Sequence, residues 1–154
     1  MDKTNVMRLL EAAGIPYTPH PYDPALTDGC AVAGAVGSAP SQTFKTLVTR
    51  GASGKCYVFL IPVNAGLDLK KAARAVGEKR VAMLPQKELL PITGYVHGGC
   101  SPIGMKKPLQ TVFHQEAAAF ATILFSAGRR GFQVEAAPQA IAHYVGASFA
   151  WVVE

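Results

Sequence analysis

Between Tyr95 and Pro108 the chain reads Tyr-Val-His-Gly-Gly-Cys-Ser-Pro-Ile-Gly-Met-Lys-Lys-Pro, a stretch that no regular helix or central strand runs through. Gly98 and Gly99 free the backbone for a positive φ or for close approach to a ligand. Pro102 stiffens the turn that follows, and Gly104 loosens the chain before Lys106 and Lys107. A loop of this kind aims backbone N–H groups at one oxygen, with a nearby cation to hold an anion there. The competing reading is a tight surface turn with solvated lysines. Either way, the chain is cut into short elements on both sides of it.

Those elements are legible from their periodicity. Val6, Leu9, Leu10 and Ala13 keep helical spacing over Thr4–Ala13, and Gly14 with Pro16 ends the helix. Tyr17–Tyr22 is extended, with two prolines that keep it from the centre of a sheet. Ala31–Val36 is a short helix of small residues. Thr43–Thr49 and Cys56–Ile61 are the clearest strands, joined as a hairpin through Arg50–Lys55.

Asp68 caps a helix through Val76, Val81–Leu84 is a short strand, and Gln86–Leu90 is a helical turn or two bounded by prolines. Gln110–Phe113 is a strand, and Thr122–Ser126 with Phe132–Glu135 forms a second hairpin. Pro138 opens a helix through Tyr144 that Gly146 stops, and Phe149–Val153 is a last strand. Many short strands with irregularly placed helices predict an α+β fold. It is a single domain over residues 1–154, with a mixed or antiparallel barrel-like sheet and flanking helices.

Composition narrows the setting. Residues are 49% hydrophobic with a positive mean hydropathy, as expected of a compact globule. Only 16% are charged, yet the net charge is +5, which leans toward a polyanionic partner. Cys30, Cys56 and Cys100 are widely spaced and form no Cys-x-x-Cys pair. No signal peptide and no apolar run of membrane-spanning length is legible, so no membrane partner is expected and the cytoplasm is the expected compartment.

Candidate chemistry is sparse. Lys45 lies mid-strand on a mostly apolar segment, either as an edge lysine or as a pocket cation for a phosphate, carboxylate or oxyanion. His97 and Cys100 have the spacing of half a zinc site, but no second pair completes it, so no metal is expected. No Gly-x-Ser-x-Gly setting, catalytic triad or paired carboxylates can be assembled. Ser126-Ala-Gly-Arg-Arg-Gly131 is a second polar turn. Its Arg129 and Arg130, with Lys106, Lys107, Lys70, Lys71, Arg74, Lys79 and Arg80, carry much of the positive charge.

Taken together, Phe44-Lys-Thr-Leu-Val, Leu67-Asp-Leu-Lys-Lys-Ala-Ala, Thr93 through Lys107 and Ser126-Ala-Gly-Arg-Arg-Gly resemble the YbaK/EbsC aminoacyl-tRNA editing family, in order over nearly the whole chain. The similarity is greatest to the branch that deacylates Cys-tRNA(Pro). It implies a free-standing enzyme that clears cysteine mischarged onto tRNA(Pro), extending to Cys-tRNA(Cys), because a synthetase pocket cannot firmly reject a similar-sized analogue. The alternatives are an Ala- or Ser-tRNA deacylase of the same family and a silent tRNA- or synthetase-binding module.

By the same resemblance Lys45 is the essential lysine, beside Thr46, and Gly98–Pro102 is the family's Gly-x-x-x-Pro loop. The N–H groups of Gly98, Gly99 and Ser101 would face the ester carbonyl, with Pro102 and Gly104 setting the loop's shape. Ser126 and Gly128 would lie by the substrate, and Lys106, Lys107, Arg129 and Arg130 would face tRNA. No cofactor is implied, since in this branch the substrate's own thiol attacks its ester and leaves as a thiolactone. The implied partners are the 3' aminoacyl-adenosine end of tRNA and prolyl-tRNA synthetase. Two departures bear on the pocket. Many members carry an aromatic near Thr27-Asp28-Gly29, and many carry an acid where this chain has Gln133.

Overall fold

A computed structural model describes residues 2–154 and gives five helices and two sheets. Helix α1 (Asn5–Ala12) is capped by Thr4, whose side chain accepts from Met7 N–H, and it buries Val6, Met7 and Leu10. Strand β1 (Thr18–Pro21) lies at a sheet edge, where its two prolines remove no ladder donor that matters. Helix α2 (Gly29–Ala35) begins two residues earlier than its apolar pattern suggests, because Asp28 caps it by accepting from Ala31 N–H at 3.0 Å.

Strands β2 (Phe44–Gly51) and β3 (Cys56–Pro62) form the expected antiparallel hairpin. Helix α3 (Leu69–Val76) has the Asp68 cap, and β4 (Val81–Met83) pairs with the far end of β2. Helix α4 (Gln86–Thr93) runs on through Pro91 rather than stopping before it. The proline costs one bond to the carbonyl of Lys87, and both residues are exposed. After the glycine loop come β5 (Gln110–His114), β6 (Ile123–Ser126), β7 (Phe132–Ala136), α5 (Pro138–Val145) and β8 (Ser148–Ala150).

The larger sheet has the order β4-β2-β3-β5-β8, with β3–β5 and β5–β8 parallel; the smaller is β1-β7-β6 and antiparallel. They do not close into the barrel-like sheet that the strand count suggests. A single parallel bridge, Thr43 with Leu124, joins β2 to β6, and the ladder goes no further. The main core fills the angle between the sheets: Phe44, Leu60, Phe113, Ile123 and Phe125 pack under α1 and α5. A second cluster lies on the other face of the larger sheet beneath α3. Where β2 and β6 part, a cleft opens.

Candidate active site

The cleft has a volume of about 260 Å3 and is lined by Thr43 and by Phe44–Leu47 of β2. Ser126 and Gln133 close it on the smaller-sheet side, and His97, Gly98 and Cys100 come from the glycine loop. Asp28, Gly29 and Val32 enter from α2, with Val63 and Leu89 behind them. The α2 terminus reaches in only because residue 29 is glycine: a Cβ there would stand 2.7 Å from Val63 Cγ1.

Three polar groups of the cleft-lining residues lack internal partners. Among the described residues no ion pair or side-chain hydrogen bond engages the half-buried Lys45. Thr46 Oγ1 and Gln133 Oε1 are buried and have no hydrogen-bond partner, a costly condition. Ser126 Oγ accepts from Gly128 N–H at 3.2 Å, which fixes the turn behind it.

The glycine loop is held in place by the turn between β6 and β7. Arg130 donates from Nε and Nη2 to the carbonyl of His97, at 3.0 and 2.8 Å. Gly98 has φ +87°, and a Cβ there would meet Arg130 Nε at 2.7 Å; one on Gly99 would meet Arg129 Cα at 3.0 Å. Arg129 in turn lies over the Phe132 ring, 4.7 Å from its centroid. The tyrosine that opens the loop, Tyr95, donates its hydroxyl to the carbonyl of Ile103, and burial pushes its pKa up to about 12.

The structure brings some of the residues singled out in the sequence together on this wall. Lys45, Thr46, Gly98 and Ser126 line the cleft together, and the two flagged positions, Asp28 and Gln133, line it too. Gly99, Ser101, Pro102, Gly104 and Gly128 do not. Gly99 N–H is donated to the carbonyl of Val96 at 3.0 Å, and Ser101 is fully buried with its Oγ accepting from Ile103 N–H. The loop therefore meets the cleft through His97, Gly98 and Cys100 instead. Pro102 and Gly104 border a separate surface hollow near Tyr144. Lys106 and Lys107 are exposed, whereas Arg130 is occupied with His97.

Tyr22, Val32, Val63 and Leu89 on the cleft wall carried no signal in sequence beyond being apolar. Helix α2 was legible as the small-residue run Ala31–Val36, but not the Asp28 cap that starts it two residues earlier. Cys100 also reaches the wall, but burial pushes its thiol up to about 12, which disfavours the thiolate that a nucleophile needs. No group of three His, Cys, Asp or Glu side chains converges among the described residues.

Comparison with known proteins places this geometry. Residues 24–144 match the profile of the aminoacyl-tRNA editing domain. An Enterococcus faecalis protein, EbsC, named as a candidate Cys-tRNA(Pro)/Cys-tRNA(Cys) deacylase, is 44% identical over 150 residues, which is 96% of this chain and 92% of that protein. A crystal structure described as a candidate trans-editing enzyme for prolyl tRNA synthetase superposes with a TM-score of 0.84 at 26% identity, covering 99% of each chain. A second crystal structure, of a hypothetical protein, shares the fold with a TM-score of 0.90 at 22% identity, over 98% of this chain and 100% of that one. The chain belongs to the aminoacyl-tRNA editing family.

Proposed function

We propose that this chain is a trans-editing deacylase that removes cysteine from tRNA(Pro), and from tRNA(Cys) as a further substrate. One observation carries the reading. Lys45, Thr46 and Gln133 line one small cleft, each with a polar side-chain atom that has no internal partner, on a fold with a 44%-identical relative named for this reaction. At about 260 Å3 the cleft is smaller than the roughly 300–1,000 Å3 of sites that enclose drug-sized ligands. It suits an aminoacyl group with the terminal ribose at its mouth.

The chemistry needs no protein nucleophile. The cysteine sulfur attacks its own ester carbonyl carbon; the new C–S bond forms as the C–O bond to the ribose breaks. The thiol proton goes to the departing ribose oxygen, leaving free tRNA and a cyclic thiolactone. Such an intramolecular attack gains from orientation alone, so the protein's task is to hold the ester and meet the developing oxyanion. The loop residues on the wall, Gly98 and Cys100, supply the backbone N–H groups for that oxygen. Lys45 holds the phosphate or ribose end of the terminal adenosine, and Val32, Leu47, Val63 and Leu89 limit the side chain admitted.

Prolyl-tRNA synthetase is the proposed source of tRNA selection, in keeping with the name of the 26%-identical structural relative. Lys106 and Lys107, exposed beyond the loop, are proposed to face the tRNA backbone. The site of action is then wherever charged tRNA is used, the cytoplasm; no helix among the described residues is long and apolar enough to cross a membrane. The test is amino acid release from Cys-, Ala-, Ser- and Pro-tRNA(Pro). Release of cysteine ahead of the others is the expected result, and absence of release from any of them would leave a binding module.

A further inference from the structure

The backbone of the cleft floor carries a feature that the side chains do not. Val63 N–H donates to the Thr43 carbonyl and Gly51 N–H to the Lys55 carbonyl, so the odd-numbered residues of β2 bond to β3. Even-numbered residues face the other way, as Leu84 N–H donating to the Val48 carbonyl at 3.0 Å confirms. Strand β4 pairs only with Thr49–Gly51, and β6 bridges only at Thr43. Thr46 therefore directs its main-chain N–H and C=O into the gap, at a stretch of sheet edge that no strand pairs.

The facing strand has the same parity. Ala127 N–H donates to the Phe132 carbonyl, so the odd residues of β6 bond to β7, while Leu124 and Ser126 turn toward β2. The two strands are joined at Thr43–Leu124 and part by Thr46 and Ser126, both of which line the cleft. A paired edge on one side and an unpaired one on the other is the setting in which an extended peptide-like group adds to a sheet.

We propose that the aminoacyl group enters this gap as a one-residue strand against Thr46. Its α-amino group donates to the Thr46 carbonyl, and its ester carbonyl oxygen accepts from Thr46 N–H. The contact rests on the deacylase reading above and extends it. It recognises the free α-amine common to aminoacyl esters, leaving side-chain choice to the apolar wall. It also places a second donor opposite the glycine loop, so that the oxyanion is met from both sides. Thr46 Oγ1, buried without a partner, lies at the same residue.

The experiment compares Cys-tRNA(Pro) with 3-mercaptopropionyl-tRNA(Pro), which keeps the thiol and ester but lacks the α-amine, and with N-acetyl-cysteinyl-tRNA(Pro). Each rate is divided by its uncatalysed rate. The expected result is a loss of at least about ten-fold in enhancement for the 3-mercaptopropionyl ester, which lacks the donor, and a smaller loss for the N-acetyl ester, whose amide N–H still donates. Equal enhancement of all three would overturn the contact while leaving the deacylase reading intact. No release from Cys-tRNA(Pro) would overturn both. As a second arm, the α-hydroxy acid analogue of threonine at position 46 replaces its N–H by oxygen. We expect kcat to fall at least about ten-fold with only the small loss of melting temperature that a weaker Lys45 carbonyl acceptor brings, because the removed N–H serves no ladder. An unchanged kcat, or a loss of fold of the kind a ladder donor would give, would overturn it.

Discussion

Arg130 holds the carbonyl of His97 with two hydrogen bonds, at 3.0 and 2.8 Å, and by doing so ties the glycine loop to the β6–β7 turn. The two polar turns that stand out in the sequence are thus one structure. Removing the clamp in Arg130→Ala should cost about 1 kcal/mol of stability, since the group is exposed. It should cost more in rate. A loop that positions Gly98 and Cys100 against an ester tolerates little displacement, and a loss of roughly ten-fold in kcat/KM is expected. Thermal melts and deacylation kinetics on one preparation check both numbers.

Gly98→Ala tests the same contact from the other side. The position has φ +87°, and the added Cβ would stand 2.7 Å from Arg130 Nε, so both backbone and clamp must give. A destabilisation of about 1–2 kcal/mol is expected. In the double variant with Arg130→Ala the steric part disappears and the φ part stays. The two changes should therefore be less than additive by about 0.5 kcal/mol or more. Additive melting data would mean the close approach is not felt.

Much of this architecture was legible. The first helix, the Asp68 cap, the β2–β3 and β6–β7 hairpins and the Pro138–Gly146 limits of the last helix follow from local patterns, and the structure has them. Lys45 and Ser126 were assigned to one site from family resemblance, and they share a cleft. Non-local outcomes were less accessible. No local pattern tells that β5 lies parallel to β3, or that β2 and β6 part after one bridge instead of closing a barrel. Loop chemistry was half legible: a Gly-Gly pair announces an unusual backbone but not which N–H is free. Gly99 spends its own on Val96, while Gly98 and Cys100 reach the wall.

Lys45→Ala should leave the fold intact, because no carboxylate among the described residues depends on it. Its role is toward the substrate. Loss of a cation that fixes an anionic end next to the reacting ester is expected to lower kcat/KM on Cys-tRNA(Pro) by roughly a hundred-fold. Lys45→Arg should recover only part, since a planar guanidinium does not replace a compact ammonium in a small cleft. Rates for both variants that match the wild type would remove Lys45 from the site.

Glu135 ties β7 to its surroundings. It accepts from Thr122 Oγ1 at 2.5 Å and pairs with His20 Nε2 at 2.8 Å, and these contacts, Thr122 first, hold its carboxyl below the ordinary range. A carboxyl whose folded value lies below its unfolded one gives stability that is present above the unfolded range and lost as pH falls through the folded one. Glu135→Gln should therefore melt below the wild type at neutral pH, by at most about 1 kcal/mol for a pair this near the surface. The gap should close on acidification below the carboxylate range. A gap independent of pH would assign the effect to packing.

The last expectation concerns the chain's own thiols, because the reaction proposed here uses only the substrate's. Cys100 sits on the cleft wall, yet burial pushes it up to about 12, so at pH 8 almost none is thiolate. Cys30 is exposed on α2. Iodoacetamide at pH 8 should label Cys30 in the folded protein and reach Cys100 only after denaturant is added, as peptide mass mapping would show. Turnover of Cys-tRNA(Pro) should leave no acyl group on Cys100. A covalent cysteinyl adduct at that position, trapped during turnover, would replace the substrate-thiol route with one through the protein.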